Sequence, residues 1–255
     1  MTSPEDKIAT QLKGVIFDLG NTLLHFNGDW NEVAEEFYTE LYRSLTSSGF
    51  DLDKANFIHL FHTRIHAYFK ERARRQIELT IAYVLQNTLV DLGYSQVTSE
   101  ELKRPLAEMY AVSQSRWQRE DDAVTTLDTL LEAGYRIGII SNAGDDEDVQ
   151  TLVDNARIRP YFDFILTSAA ERYRKPDRRI FQRVFDYWNF SPGQIAMVGD
   201  TLEADILGAK NAGMVSVWIT RRAKTSHSSN NLTTIRPDYK IASLAELPKI
   251  INSRE

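Results

Sequence analysis

The apolar residues of this chain follow two rhythms, and the change between them divides it. Between residues 30 and 123 they recur at helical spacing, as Val33, Phe37, Leu41 and Leu45, then Phe57, Leu60, Phe61, Ile65 and Phe69, then Ile77, Ile81, Leu85 and Leu89. Steps of three and four place each set on one helix face, and Gly93 closes the third stripe where a helix end favours glycine. A further helix is predicted from Ser99 or Glu100 to about Gln114, with Pro105 near its first turn. No strand is predicted in this stretch, and antiparallel helices of such length make a bundle of their own.

On either side of the bundle the pattern shortens. Val15-Ile16-Phe17 is a brief apolar run, and further runs at 136–140, 162–167, 195–198, 215–219 and 239–241 read as strands. Helical segments at 124–131, 146–155, 179–188, 204–212 and 244–251 separate or follow them. This alternation predicts an α/β fold, a doubly wound, Rossmann-like parallel sheet with helices on both faces and a smaller all-helical domain inserted. The predicted division is 1–26 with 124–255 for the sheet domain and 27–123 for the helical one. The polar stretch 225–234, rich in Ser, Asn and Thr, reads as a surface loop.

Composition narrows the partners. A length of 255 residues, 42% hydrophobic and 26% charged, is that of an ordinary globular chain with a sizeable core. The net charge of -6 argues against nucleic acid or an anionic membrane surface as a partner. With no cysteine there is no disulfide, thiolate metal site or cysteine nucleophile. The opening Met1-Thr2-Ser3-Pro4-Glu5-Asp6 is polar, and no apolar run nears the roughly 20 residues that span a bilayer. A cytoplasmic location is the expectation. The apolar stripes of the bundle would serve a dimer or their own interior equally, so the oligomeric state stays open.

Several of the runs end in small polar residues. Asp18 follows the first, Ser141-Asn142 follows 136–140, and Gly199-Asp200 follows 195–198. Parallel sheets bind ligands outside the carboxyl ends of their strands, so these residues can converge. A carboxylate there can act as a nucleophile, as in aspartyl-phosphate chemistry. Asp200 and Asp205 can hold Mg²⁺, which takes oxygen ligands and keeps several waters. Lys175, in Arg174-Lys175-Pro176-Asp177, can neutralise a phosphate or Asp18. Thr22 and Ser141 offer hydroxyls beside backbone N–H groups that can cradle phosphate oxygens. Each residue taken singly has a plainer role as a cap, a turn residue or a solvated side chain.

In order and spacing the set resembles the haloacid dehalogenase-like hydrolase superfamily. Asp18-Leu19-Gly20-Asn21-Thr22 is similar to its nucleophile loop, and Ile139-Ile140-Ser141-Asn142 to its second motif. Lys175-Pro176-Asp177 is similar to the third, and Gly199-Asp200 through Asp205 to the fourth. The helical insert resembles the family's mobile cap. The resemblance implies an Mg²⁺-dependent phosphatase acting on a small phosphorylated metabolite. In it Asp18 attacks, Thr22, Ser141 and Asn142 bind the phosphoryl group, and Lys175 steadies the charge. It further implies that Asp18, Asp200, Asp205 and the backbone carbonyl of Gly20 hold the metal.

One position departs from the family pattern. Phosphatases of this family usually read Asp-x-Asp, the second Asp serving as general acid and base, and here that place is Gly20. General acid–base help is worth about 10²–10⁴-fold, so its loss favours leaving groups that need little protonation. The same departure leaves open carbon–halogen or carbon–phosphorus cleavage, or binding of a phosphorylated ligand without turnover. Lys54 and Lys70 are candidates for the imine-forming lysine that carbon–phosphorus cleavage would need. His25, His59, His62 and His66 are candidates for a substitute proton donor, and the last three share one helix face. Arg72, Arg74 and Arg75 form a basic cluster read as a solvated helix face or a substrate clamp.

Overall fold

A computed structural model describes residues 11–223 and 234–252. The opening residues and nearly all of the polar stretch predicted as a loop lie outside them. In chain order the elements are β1 (Gly14–Phe17), β2 (Leu24–Phe26), α1 (Trp30–Ser47), α2 (Lys54–Arg75), α3 (Ile81–Asp91), α4 (Ser99–Gln114) and β3 (Trp117–Arg119). There follow α5 (Ala123–Glu132), β4 (Arg136–Ser141), α6 (Asp146–Asn155), β5 (Ile165–Thr167), α7 (Ser168–Glu171) and α8 (Arg178–Trp188). The chain continues through β6 (Ile195–Gly199), α9 (Gly208–Ala212), β7 (Val215–Ile219), β8 (Tyr239–Ile241) and α10 (Leu247–Asn252).

Six strands form one sheet in the order β5-β4-β1-β6-β7-β8. Every pairing in it is parallel. After β1 the chain builds outward through β4 and β5, then returns to the other side of β1 for β6, β7 and β8. That reversal opens a crevice at the carboxyl ends of β4, β1 and β6, where an open α/β sheet receives its ligand.

Strand alternation divides the core between the two faces. Val15, Phe17, Ile137, Ile139, Ala196 and Val198 pack with Leu127, Leu130 and Val153 from α5 and α6. Ile16, Ile140 and Met197 point the other way, onto Phe181, Val184 and Trp188 of α8 and Ala209 of α9. Each fully buried side chain of this size contributes roughly 1.5–3 kcal/mol. The inserted helices carry a separate core built on Leu41, Leu45, Phe57, Phe61, Leu85, Leu89 and Leu102. Their starts are capped as their sequences allow: Asp53 accepts from Asn56 N–H, Thr80 from Tyr83 N–H, and Thr98 forms a reciprocal box with Glu101.

The structure corrects several elements. A two-stranded antiparallel ribbon, β2 with β3, brackets the insert and pairs Phe26 with Trp117. It was not predicted, because three-residue strands with exposed polar positions show no period. The third apolar stripe starts late: α3 begins at Ile81, and Ile77 instead bridges Tyr173. The strand predicted at 162–167 is only Ile165–Thr167, preceded by a 3₁₀ turn at Arg159–Tyr161. The helix predicted at 204–212 begins as a wide π turn, Leu202–Leu207, and becomes α-helical only at Gly208–Ala212. The last helix likewise opens with a 3₁₀ turn, Leu244–Glu246. Among the described residues no helix is long and apolar enough to cross a membrane.

Candidate active site

Asp18 follows β1, Ser141 ends β4 and Asp200 follows β6, so three adjacent strands deliver them to one crevice. The Asp18 N–H still donates to Val198 O at 2.9 Å, which fixes the nucleophile loop to the sheet. Lys175 reaches in from the segment before α8 and is only 2% exposed. Its ammonium donates to Asp18 Oδ1 at 2.6 Å and to Ile140 O at 2.8 Å. It also pairs with Asp205 Oδ1 at 2.7 Å.

Asn142 holds that lysine in place. Its amide donates to Lys175 O at 2.9 Å, and its Oδ1 accepts from Lys175 N–H at 2.8 Å. Both ends of the side chain thus bond the lysine backbone, while Asn142 itself borders the cavity. Asp205 is fixed from the other side, its Oδ2 accepting from Thr201 N–H at 2.9 Å. Gly199 makes this possible, since a Cβ there would lie 2.3 Å from Asp205 Cγ.

Charge is unbalanced here. Asp18, Asp200 and Asp205 bring ligand oxygens within 4.8 Å of one another. Against these three carboxylates stands one ammonium, that of Lys175. The Asp18 carboxyl is raised to about 7, by burial first, against the pull of Lys175 and with a further push from Asp205 and Asp200. Burial and then Asp205 raise Asp200 to about 6. Burial works against the Lys175 charge, yet Asp18 and Asp205 outweigh it and hold the group above its ordinary value. Clustered hard oxygen donors short of positive charge fit a divalent cation.

The cavity over these groups measures about 340 Å³. Asp18, Gly20, Ser141, Asn142, Lys175, Asp200 and Asp205 line it, as predicted residues brought together. Thr22 does not line it: the side chain is fully buried and its Oγ1 has no hydrogen-bond partner among the described residues.

Trp117, for which the sequence suggests only core or cap-interface packing, and Asp148 also border the cavity. Trp117, on β3, covers Gly20, where an added Cβ would meet its ring at 3.4 Å. A side chain at position 20 would thus start in van der Waals contact with that ring. Asp148 lies in the first turn of α6. Its signal was available, because α6 starts at the carboxyl end of β4 and its first turn therefore faces the crevice.

The candidate substitutes lie elsewhere. His25 turns to Glu120, 3.2 Å away, and His62 and His66 contact each other at 2.9 Å on the exposed face of α2. Neither these, His59, Lys54 nor Lys70 borders the cavity. Arg74 and Arg75 pair with Glu71 on the solvent side of α2, while Arg72 turns inward to Glu78.

Fold and site together define an α/β enzyme with a buried carboxylate–lysine centre at the switch point of its sheet. The family model described as haloacid dehalogenase-like hydrolase matches residues 12–213, and the chain belongs to that family. N-acylneuraminate-9-phosphatase of Mus musculus is 32% identical over 133 residues, 52% of each chain. The chain thus spans about half the length of the curated relatives it matches. A HAD phosphatase from Thermococcus onnurineus superposes with a TM-score of 0.62 at 25% identity, over 94% of this chain and 98% of that one. The 2-haloacid dehalogenase of Pseudomonas syringae pv. Tomato DC3000 superposes at 0.65 with 23% identity, over 96% and 100%, a likeness of fold alone.

Proposed function

We propose that the chain is an Mg²⁺-dependent phosphatase that hydrolyses a small phosphate monoester through an aspartyl-phosphate on Asp18. The observation that carries this reading is the Lys175 ammonium bridging Asp18 and Asp205 at 2.6 and 2.7 Å, beside a further acid, at the carboxyl ends of the strands. Phosphatase relatives add support.

In the first step an Asp18 carboxylate oxygen attacks phosphorus, the acyl–phosphate bond forms, and the ester oxygen leaves with the bond's electron pair. Lys175 favours the ionised form of Asp18 against its burial and orients it, and Asn142 keeps Lys175 in place. The Ser141 hydroxyl faces the same cavity and is suited to a phosphoryl oxygen. In the second step water attacks phosphorus and Asp18 departs as a carboxylate. The metal would be held by Asp18, Asp200, Asp205 and the Gly20 carbonyl, where it would offset charge on the phosphoryl oxygens. Residues 27–123 would act as a cap that closes to exclude bulk water. Because β3 pairs with β2, the ribbon would stay with the sheet domain and serve as its hinge.

The test is hydrolysis of p-nitrophenyl phosphate, whose leaving group needs little protonation. Turnover should require both added Mg²⁺ and Asp18, falling at least about 10³-fold in Asp18→Asn. Metal-independent turnover, or an undiminished rate in Asp18→Asn, contradicts the reading.

A further inference from the structure

A second cavity, of about 300 Å³, opens between the inserted helices and the sheet domain. Trp117 and Asp148 border both it and the cavity over Asp18, so the two adjoin. Its walls come from α1, α2 and α4 and are chiefly apolar, with Phe37, Phe61, Ile65 and Met109 among them. Trp30 and Phe69 also line it and remain 45% and 40% exposed. The Trp30 ring stacks on Phe26 at 4.0 Å and meets Trp117 edge-on at 6.2 Å, so the aromatic wall runs up to the catalytic crevice. The charged residues lining it are Arg72 and Asp148. Arg72 is already committed, its Nη1 to Glu78 and its guanidinium over Phe69 at 4.3 Å.

Tyr38, Tyr110, Ser113 and Asp148 give this wall a few polar groups, but the greater part of it is apolar and cannot replace the hydration of a polyol, so each hydroxyl buried there unpaired would cost binding. A flat apolar ring loses nothing and gains contact with aromatic faces. Chemistry at the reacting bond points the same way. Gly20 supplies no acid, and the Trp117 ring beside it carries no acidic group. An aryl oxygen leaves as a stabilised aryloxide that solvent can protonate, whereas an alkoxide needs a proton during departure.

We propose that this cavity is the leaving-group subsite and that it selects phosphate monoesters of flat, apolar ring alcohols. The proposal rests on the phosphatase reading above. In the reaction the Asp18–phosphorus bond forms as the phosphorus–aryl oxygen bond breaks. The aryloxide takes the electron pair and then a solvent proton, and water releases phosphate from Asp18.

The test compares 2-naphthyl phosphate, phenyl phosphate and acetyl phosphate as substrates of the Mg²⁺-supplied protein. Phenyl and naphthyl esters have similar leaving groups, so a difference between them reports the cavity. The expected result is a kcat/KM about tenfold higher for the naphthyl ester, expressed mainly in KM. Two substitutions at exposed wall positions, Trp30→Ala and Phe69→Ala, should erase that advantage while altering acetyl phosphate turnover far less. Turnover of all three substrates without a naphthyl preference, or equal losses on every substrate in both variants, overturns the subsite and leaves the phosphatase standing. No turnover of any of the three by folded protein overturns both.

Discussion

Two buried acidic clusters lie on either side of one short segment, and they are balanced in opposite ways. Glu78, 2% exposed, accepts from Ser168 Oγ at 2.7 Å and Arg174 Nη1 at 2.6 Å. Arg72 Nη1 approaches the same carboxylate at 3.2 Å, and the Tyr68 hydroxyl donates to it as well. A single acid thus faces two guanidinium groups and two hydroxyls. The Asp18 cluster has three acids to one ammonium. Arg174 serves the first cluster and Lys175, the next residue, serves the second. Where cations exceed acids, the network joins α2 and the following loop to the sheet domain. Where acids exceed cations, positive charge is left to be supplied by a ligand.

The sharpest way to break this comparison is to remove an acid from each side. Glu78→Ala strands two half-buried guanidinium groups and should cost about 2–4 kcal/mol in urea unfolding, with Glu78→Gln costing less. An unchanged midpoint would mean that the joint carries no stability. Asp200→Asn should act with the opposite sign in metal-free protein. Its carboxyl is raised from 3.8 to about 6, so native protein holds that proton more tightly than unfolded chain does. Stability therefore falls as pH rises from about 4 to about 6, and the full penalty persists above that range. Asn removes the penalty, so the variant should gain about 1–3 kcal/mol at pH 8 and nothing at pH 4. Loss of stability at pH 8 would show that Asp200 is already compensated. The smallest effect belongs to the exposed ion pairs of α2: Arg74→Ala should leave the melting temperature unchanged, since solvent screens its pairing with Glu71.

Which of these clusters could be read from sequence follows from how each is built. Asp18, Ser141 and Asp200 were legible because each ends an apolar run, and a parallel sheet brings strand ends together whatever the intervening length. Lys175 was legible only through the resemblance of Lys175-Pro176-Asp177 to the family's third motif, since a lysine alone in a loop is more often solvated. Asn142 was read as a phosphate contact, and both ends of its amide bind the Lys175 backbone, a pairing across 33 residues that no local pattern carries. Glu78 falls inside the third predicted stripe, next to Ile77, where nothing local marks it out, and its partners come from α2, α7 and the segment before α8. Trp117 was hidden for a different reason. A three-residue ribbon has too few positions to show alternation, and its register with Phe26 depends on a partner strand beyond the whole insert. Local periodicity reveals elements, and strand ends reveal a crevice; polar pairs between distant elements emerge only in the folded chain.

The most direct test of the charge imbalance is the melting temperature with and without Mg²⁺, measured on wild type, Asp200→Asn and Glu78→Gln. The account predicts that Mg²⁺ raises the melting temperature of wild type and Glu78→Gln, and that Asp200→Asn loses most of that rise. No rise in wild type, or an equal rise in Asp200→Asn, would contradict it.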